Sequence, residues 1–406
     1  MTNRKILVIT GGFATAMALM ANAAHAQSSV TLYGVVDAAV LFDSGEATTD
    51  AAGHTRNRSN TKIVSDTLTP SAFGLKGVED LGGGVKAIFH LESGFNIANG
   101  RQAQDGAMFN RQASVGLMDD KYGTFTVGRQ FDSYSDMVGP FASSNSWAGQ
   151  YGAHFGDIDN LNQAFNLSNA IKYVSPELFG ITFGGTYALG GHAGDYSADR
   201  AWSVAASFTH GPISLGAGYL NVRDPFTAVL GATAGASPAA TSSDGYSGAL
   251  DCSVPTGVCG LQNAQSLRSW GGGGSYSFGD VTVGAVYSRS ILAQSQFFAT
   301  PAGASFDNYE ANVAWTVAPM LTVGGAYVFT DGSASGASPR FHQVNVGANY
   351  ALSKRTTLYT VATAQKATGS AIGSGGASDN TAQIPYLPGS ASDKQLSVAA
   401  GIRVNF

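Results

Sequence analysis

Charge is scarce in this chain. Asp, Glu, Lys and Arg make up 12% of its 406 residues, and the net charge is −5. With acids outnumbering bases, there is no basic footprint for binding nucleic acid. Cysteine is almost missing. Cys252 and Cys259 stand in a Gly/Ser-rich stretch and read as a small loop disulfide in an oxidising compartment, with no metal role. Long apolar runs are lacking too. Past the first 26 residues nothing approaches the eighteen or so apolar residues that a membrane helix needs. Nor is there a G-x-S-x-G elbow, an H-E-x-x-H pair or a phosphate-binding Gly loop ending in Lys-Ser/Thr. The expectation is a protein that is not an enzyme and has no cofactor. The scattered His54, His154, His192, His210 and His342 read as surface imidazoles.

The sequence opens with a segment that reads as an export signal. Arg4 and Lys5 precede an apolar core from Ile6 to Leu19, and Ala24-His25-Ala26 forms a small-residue cleavage site. Residues 1–26 are therefore expected to be cleaved, leaving 27–406 as a single domain. The leader holds two bases and no acids, so the mature net charge would be −7.

The rest is dominated by Gly, which numbers 53, by aromatics at 10%, and by strict alternation. In the last segment Leu396, Val398, Ala400, Ile402, Val404 and Phe406 share one parity, with Ser397, Gly401, Arg403 and Asn405 on the other. The same period of two recurs in Val30 to Asp43, Ile181 to Leu189, Ala201 to His210, Tyr309 to Val317, Leu321 to Phe329 and Val344 to Tyr350. This is the mark of β-strands with one apolar face. Gly271 to Gly274 falls inside such a strand, where it would allow close packing. Seven short turns alternate with eight long connections, which separates sixteen strands. Aromatics such as Tyr173, Phe179, Trp202, Tyr219, Tyr276, Phe278 and Tyr350 collect near strand ends. An even strand count, turns of two lengths and aromatic girdles together predict an all-β, sixteen-stranded antiparallel transmembrane barrel, apolar outside and wet inside. A membrane sheet must close on itself to satisfy its backbone, and a barrel of about sixteen strands leaves an aqueous lumen. The third long connection, Ser133 to Ala164, carries Trp147, Tyr151, His154 and Phe155, too many rings for a loose exterior loop, and is expected to narrow that lumen. An outer-membrane lipase would need a Ser/His pair near the girdle, and none can be proposed. A soluble β-rich adhesin would turn its polar face outward.

Several motifs carry a resemblance that runs from Ser28 to Phe406. They are Ser29-Val-Thr-Leu-Tyr-Gly34, Phe73-Gly-Leu-Lys-Gly-Val-Glu-Asp-Leu-Gly-Gly-Gly84, Asn110-Arg-Gln-Ala-Ser-Val-Gly-Leu117, Gly128-Arg-Gln130, His154-Phe-Gly-Asp-Ile-Asp-Asn160 and the terminal Phe406. In this order they resemble the trimeric general diffusion porins of Gram-negative outer membranes, the β-proteobacterial branch above all. The resemblance implies a channel for small hydrophilic solutes and ions, with the third loop folded inward as a charged constriction. It implies a basic wall of Lys76, Arg111, Arg129 and Lys172, with Arg111 and Arg129 pointing inward. Facing it would be an acidic side made of Glu92, Asp132, Asp136, Asp157 and Asp159. On the strand of Glu92, the reading takes Glu92 rather than His90 as the inward residue. Ala72, Asn166 and Val35 stand where relatives carry basic residues, so the basic ladder looks thinned and a mild cation preference is expected. A solute-specific or anion-selective channel is the alternative. The same resemblance implies a homotrimer, contact with lipopolysaccharide and phospholipid, and Phe406 as the signal read by the barrel-insertion machinery. Small residues Gly34, Ala38, Gly77, Gly116 and Gly128, with Gln112 and Ser114, are taken as the outward face that would meet a neighbouring subunit.

Overall fold

The computed structural model describes residues 28–104, 106–225, 264–295, 302–334, 336–372 and 378–406. The leader and the Cys252–Cys259 pair lie outside the described residues. Among the described residues seventeen strands make one sheet. They are β1 (Ser29–Thr49), β2 (Thr55–Ser65), β3 (Ala72–Gly82), β4 (Val85–Gly94), β5 (Gln112–Asp119), β6 (Gly123–Gln130), β7 (Leu167–Val174), β8 (Ile181–Ala188) and β9 (Ala201–His210). Then follow β10 (Ile213–Arg223), β11 (Ser266–Phe278), β12 (Val281–Ser295), β13 (Ala302–Ala318), β14 (Leu321–Ala334), β15 (Arg340–Ala351), β16 (Thr356–Thr368) and β17 (Lys394–Asn405). β2 and β3 pair with successive stretches of the same strand: Ala38–Thr49 of β1 faces β2, and Ser29–Val35 faces β3. They are two halves of one stave, so the barrel has sixteen. Each stave is antiparallel to its chain neighbour, and β1 closes the cylinder against β17 from Val35↔Asn405 to Asp43↔Ser397.

Exposure separates the two faces. On β1, Val30, Leu32, Val40 and Phe42 are 40–65% exposed, while Asp37, Leu41 and Asp43 are buried. Large apolar side chains left open on one parity, all around the sheet, form a surface built for hydrocarbon. The aromatic girdle lies on this face. Trp202, Tyr219 and Trp270 stack in sequence, and Tyr287, Tyr309, Phe329 and His342 form a second row.

Two expectations are corrected. The first of the long connections, expected near 44–60, is mostly strand, because β1 and β2 run on as a polar hairpin that turns only at 50–54. On β5 the exposed apolar residues are Val115 and Leu117, so Gln112, Ser114 and Gly116 face inward. Gly128, the partner of Ser114, goes with them, leaving Gly34, Ala38 and Gly77 on the outer face. The second stave is also not continuous. It is broken at 66–71, where Asp66 adopts φ +68°, and the segment turns into the interior. There Asp37 accepts hydrogen bonds from Leu68 N and Thr69 N at 3.1 and 3.0 Å.

Candidate functional site

The segment between β6 and β7 lies against the polar parity of the wall. It starts with a short helix, α1 (Ser133–Val138), capped by the Asp132 carboxylate, which accepts from Tyr134 N and Ser135 N. Ser133 Oγ and Thr186 Oγ1 of β8 hydrogen bond at 2.8 Å, and Ser133 N donates to Ser203 Oγ of β9. Further on, Ser143 N donates to Glu310 Oε1 of β13, and Gln343 and Asn345 of β15 donate to the carbonyls of Ala153 and Gly152. The wall makes room with glycines on its inner parity. A Cβ on Gly273 would stand 2.7 Å from Phe141 Cβ, and one on Gly271 would stand 3.0 Å from Tyr134 Oη. The Gly271–Gly274 run in β11 therefore serves close approach of the loop, as its place in an alternating strand suggested.

Three of the four loop acids sit elsewhere than the resemblance implied, while Asp136 is exposed. Asp132, Asp157 and Asp159 are all fully buried. Asp157 accepts from Asn162 N, Ala164 N and the Tyr386 hydroxyl. Asp159 accepts from Ser288 Oγ of β12 and is paired with His154. They pin the loop to itself and to the wall and present no charge to the lumen. His154 is the largest departure from the sequence reading. It is 2% exposed, with Nδ1 2.6 Å from Asp159 Oδ2 and Nε2 3.1 Å from Glu310 Oε2. Burial opposes the charged ring, but the two carboxylates outweigh it and push the pKa up to about 10. Burial likewise works against an ionised Asp159, yet the adjacent imidazolium holds its carboxyl below the ordinary range. The charged imidazolium donates from both nitrogens to two acceptors, which accounts for a buried ionic triad. A lone His in a loop gives no sign of this. Glu310, an acid on the polar parity of a strand, was the signal available.

A second cluster lies on the facing wall formed by β1, β3, β4 and the start of β5. Arg111 Nε meets Glu92 Oε1 at 2.7 Å, and Tyr33 Oη donates to Glu92 Oε2 at 2.6 Å. Tyr33 Oη also hydrogen bonds His90 Nε2. His90 and Glu92 therefore point the same way, as residues two apart on a strand must, and choosing one over the other was an error. Arg111 precedes the first residue of β5, so strand alternation does not fix its direction, and Asn166 Nδ2 anchors its carbonyl. Lys76 is exposed, with its ammonium 4.5 Å from the centre of the Tyr33 ring. Arg403 of β17 shares this polar side and donates to Thr69 Oγ1 at 3.1 Å.

Two basic residues are not part of this cluster. Lys172 is buried at the root of the loop, donating to Phe131 O and paired with Asp136. Arg129 pairs in register with Ala113, on the parity of Val115 and Val127, and so falls on the outer face. There it donates to Asn110 O, Ser168 Oγ and Gln104 Oε1. The bulge opposite, where Asn169 adopts φ +52°, brings Ser168 to it. Its inward direction, expected from the resemblance, is corrected. Exposed on the loop are the neutral Asn145 and Ser146, with Asn145 Nδ2 donating to Gly139 O and Leu161 O, and the Asp136 carboxylate paired with Lys172. The loop is thus held on the polar face by buried acids, while the wall of β1, β3, β4 and β17 carries Lys76, Arg111, Glu92 and Arg403.

Comparison with known proteins agrees with this geometry. The model of the Gram-negative porin family matches residues 14–370. An outer membrane porin protein of Bordetella pertussis is 29% identical over 370 residues, spanning 85% of this chain and 91% of that protein. Outer membrane porin protein 32 of Delftia acidovorans is 29% identical over 362 residues, spanning 85% and 86%. Among solved structures, the anion-selective porin from Comamonas acidovorans superposes with a TM-score of 0.66 at 22% identity, covering 93% of this chain and all of that one. The trimer form of OmpT, an outer membrane protein of Vibrio cholerae, gives 0.61 at 15% identity, covering 93% and 99%.

Proposed function

Because this chain belongs to the Gram-negative porin family and resides in the outer membrane, we propose that it is a passive diffusion channel for small hydrophilic solutes and ions. The observation that carries this is the closed barrel of sixteen staves with its apolar parity outward and polar parity inward. A cylinder of that circumference exceeds what wall side chains alone fill, so the loop between β6 and β7 narrows the remaining lumen. No step of chemistry is asked of the residues: solutes pass by size and by the field of the wall.

The burial of Asp157 and Asp159 bears on ion preference. The expected cation preference set a thinned basic ladder against loop acids that face the lumen, whereas Asp157 and Asp159 are both enclosed and hydrogen-bonded. On the facing wall the open charge is the Lys76 ammonium, with Arg111 and Arg403 partly exposed and Glu92 engaged by Arg111 and Tyr33, while the exposed loop acid Asp136 is paired with Lys172. This favours the alternative, a weak anion preference. Reconstitution in planar bilayers tests both statements. Stepwise conductance is expected, with a zero-current potential under a KCl gradient of the sign set by chloride. Sealed bilayers would end the channel reading, and a clear potassium preference would end the anion reading.

We further propose that the protein assembles as a homotrimer through the outer face of its first staves, where Gly34, Ala38 and Gly77 stand beside exposed Val30 and Leu32. Cross-linking in mild detergent that yields monomers alone would refute it.

A further inference from the structure

Among the buried aromatic anchors of the lumen loop is Trp147, which is 3% exposed. Its indole lies where two adjacent staves have no side chains. Gly324 of β14 and Gly347 of β15 are register partners on the inner parity. A Cβ on Gly324 would fall 2.7 Å from Trp147 Cε3 and closer still to Cδ2 and Cε2. One on Gly347 would fall 3.0 Å from Cε3 and 3.3 Å from the Trp147 carbonyl. Ala148 and Ala326 complete the seat. Glycine inside a strand weakens it and packs nothing of its own, so a facing pair is costly unless the space it opens is used. Here the space is filled by a ring.

The seat is linked to the lumen edge by a tight run of backbone bonds. Trp147 N and Ala148 N both donate to Ser143 O, at 3.1 and 3.0 Å, closing a turn whose outer residues are the exposed Asn145 and Ser146. Just beyond, Gln150 N donates to Thr67 O in the inturned segment of the broken stave. The turn has little freedom to move independently of the indole.

We propose that the Gly324–Gly347 notch is the aperture-setting element of this channel: the depth to which Trp147 sinks into the wall fixes how far Asn145 and Ser146 project into the lumen. The proposal rests on the diffusion-channel reading above. Filling the notch should lift the indole and push the turn inward. Single-channel conductance of Gly324→Ala, measured in planar bilayers, is expected to fall by about twofold or more, with a smaller polymer size cut-off. Adding Trp147→Gly to that variant should restore conductance, because the clash is gone. Gly325→Ala serves as the control. Its Cβ would lie on the outer face and meet only Val313, at 3.9 Å, so its channels should match wild type.

Trp147→Ala leaves the notch empty and should raise current noise and conductance, whereas Trp147→Phe, which keeps a ring in place, should stay near wild type. Silent wild-type protein would fail the channel reading itself. Conducting wild type with unchanged Gly324→Ala channels, a double variant as restricted as the single one, or Trp147→Ala traces identical to wild type would each overturn the notch while leaving the channel reading intact.

Discussion

His154 and Glu310 join the segment between β6 and β7 to the barrel wall through a buried hydrogen bond of 3.1 Å, with the other imidazole nitrogen held by Asp159 at 2.6 Å. The pair spans 156 residues of sequence, so its effect is to fix a loop to a distant strand.

The clamp should weaken in alkali. Its histidine has a folded pKa raised from 6.5 to about 10, so the stability it contributes is fully present below 6.5 and is lost as pH rises through about 10. Asp159, with its pKa lowered, acts in the opposite sense: its contribution is present above its ordinary value of 3.8 and fails only in stronger acid. Neutral and mildly acidic solutions therefore keep the loop seated. Open-channel current noise is expected to rise when pH is raised from neutrality past about 10, and His154→Gln should show high noise at both. Flat noise across that range in wild type would contradict the clamp.

Removing one member of the triad should cost more than removing the charge of any surface pair. Glu310→Ala leaves a buried imidazolium with one acceptor fewer and strips Ser143 N of its partner. A broken buried ion pair costs about 3–5 kcal/mol. Faster proteolytic cleavage within 133–164 of the folded barrel would report this directly. Lys86→Ala, which breaks an exposed 3.8 Å pair with Asp120, should leave cleavage unchanged.

Ion preference should follow the wall rather than the loop. Arg111→Gln frees the Glu92 carboxylate from its guanidinium and removes a positive charge from the same place, so the zero-current potential should move toward cations. Lys76→Gln should move it the same way. Asp136→Asn leaves the buried Lys172 ammonium without its carboxylate and should shift the potential less than Arg111→Gln, because Lys172 is buried. Measured potentials that answered to Asp136 and ignored Arg111 would reverse the assignment.

Most of the architecture could be read from the chain because it rests on period two. Alternation at Val30–Phe42 or Leu396–Phe406 states which face meets hydrocarbon, and turn lengths supply the stave count. Errors arose where alternation is locally weak. In β5 the polar Gln112 and Ser114 share a parity with Gly116, and the face could be settled only by the exposure of Val115 and Leu117. The break at 66–71 and the bulge beside Arg129 shift register by residues that carry no hydrophobic signal. Likeness to a family suggested which acids belong to the loop. It did not reveal that Asp157 and Asp159 are consumed by donors from Ala164, Tyr386 and Ser288, since those partners lie up to 229 residues away.

The carboxyl terminus offers a last test. Phe406 N donates to Gly34 O at 3.0 Å and Gly34 N donates to Phe406 O at 3.1 Å, extending the β1–β17 seam to its final residue. A Cβ on Gly34 would stand 2.7 Å from Phe406 Cε1. The ring thus lies flat across a position kept bare for it, at the seam where the first and last staves close the cylinder. Two roles can be separated there. Gly34→Val should displace the ring while leaving the terminal aromatic in the sequence, so the seam weakens and the heat-resistant folded band in electrophoresis melts at lower temperature. Deleting Phe406 removes the ring and the final backbone bonds together, and should also lower the yield of barrel inserted into the outer membrane. If the residue acts as an insertion signal beyond its packing, Phe406→Tyr restores yield and Gly34→Val leaves it intact. Equal loss of inserted protein in Gly34→Val and in the deletion would assign the whole effect to closure of the seam.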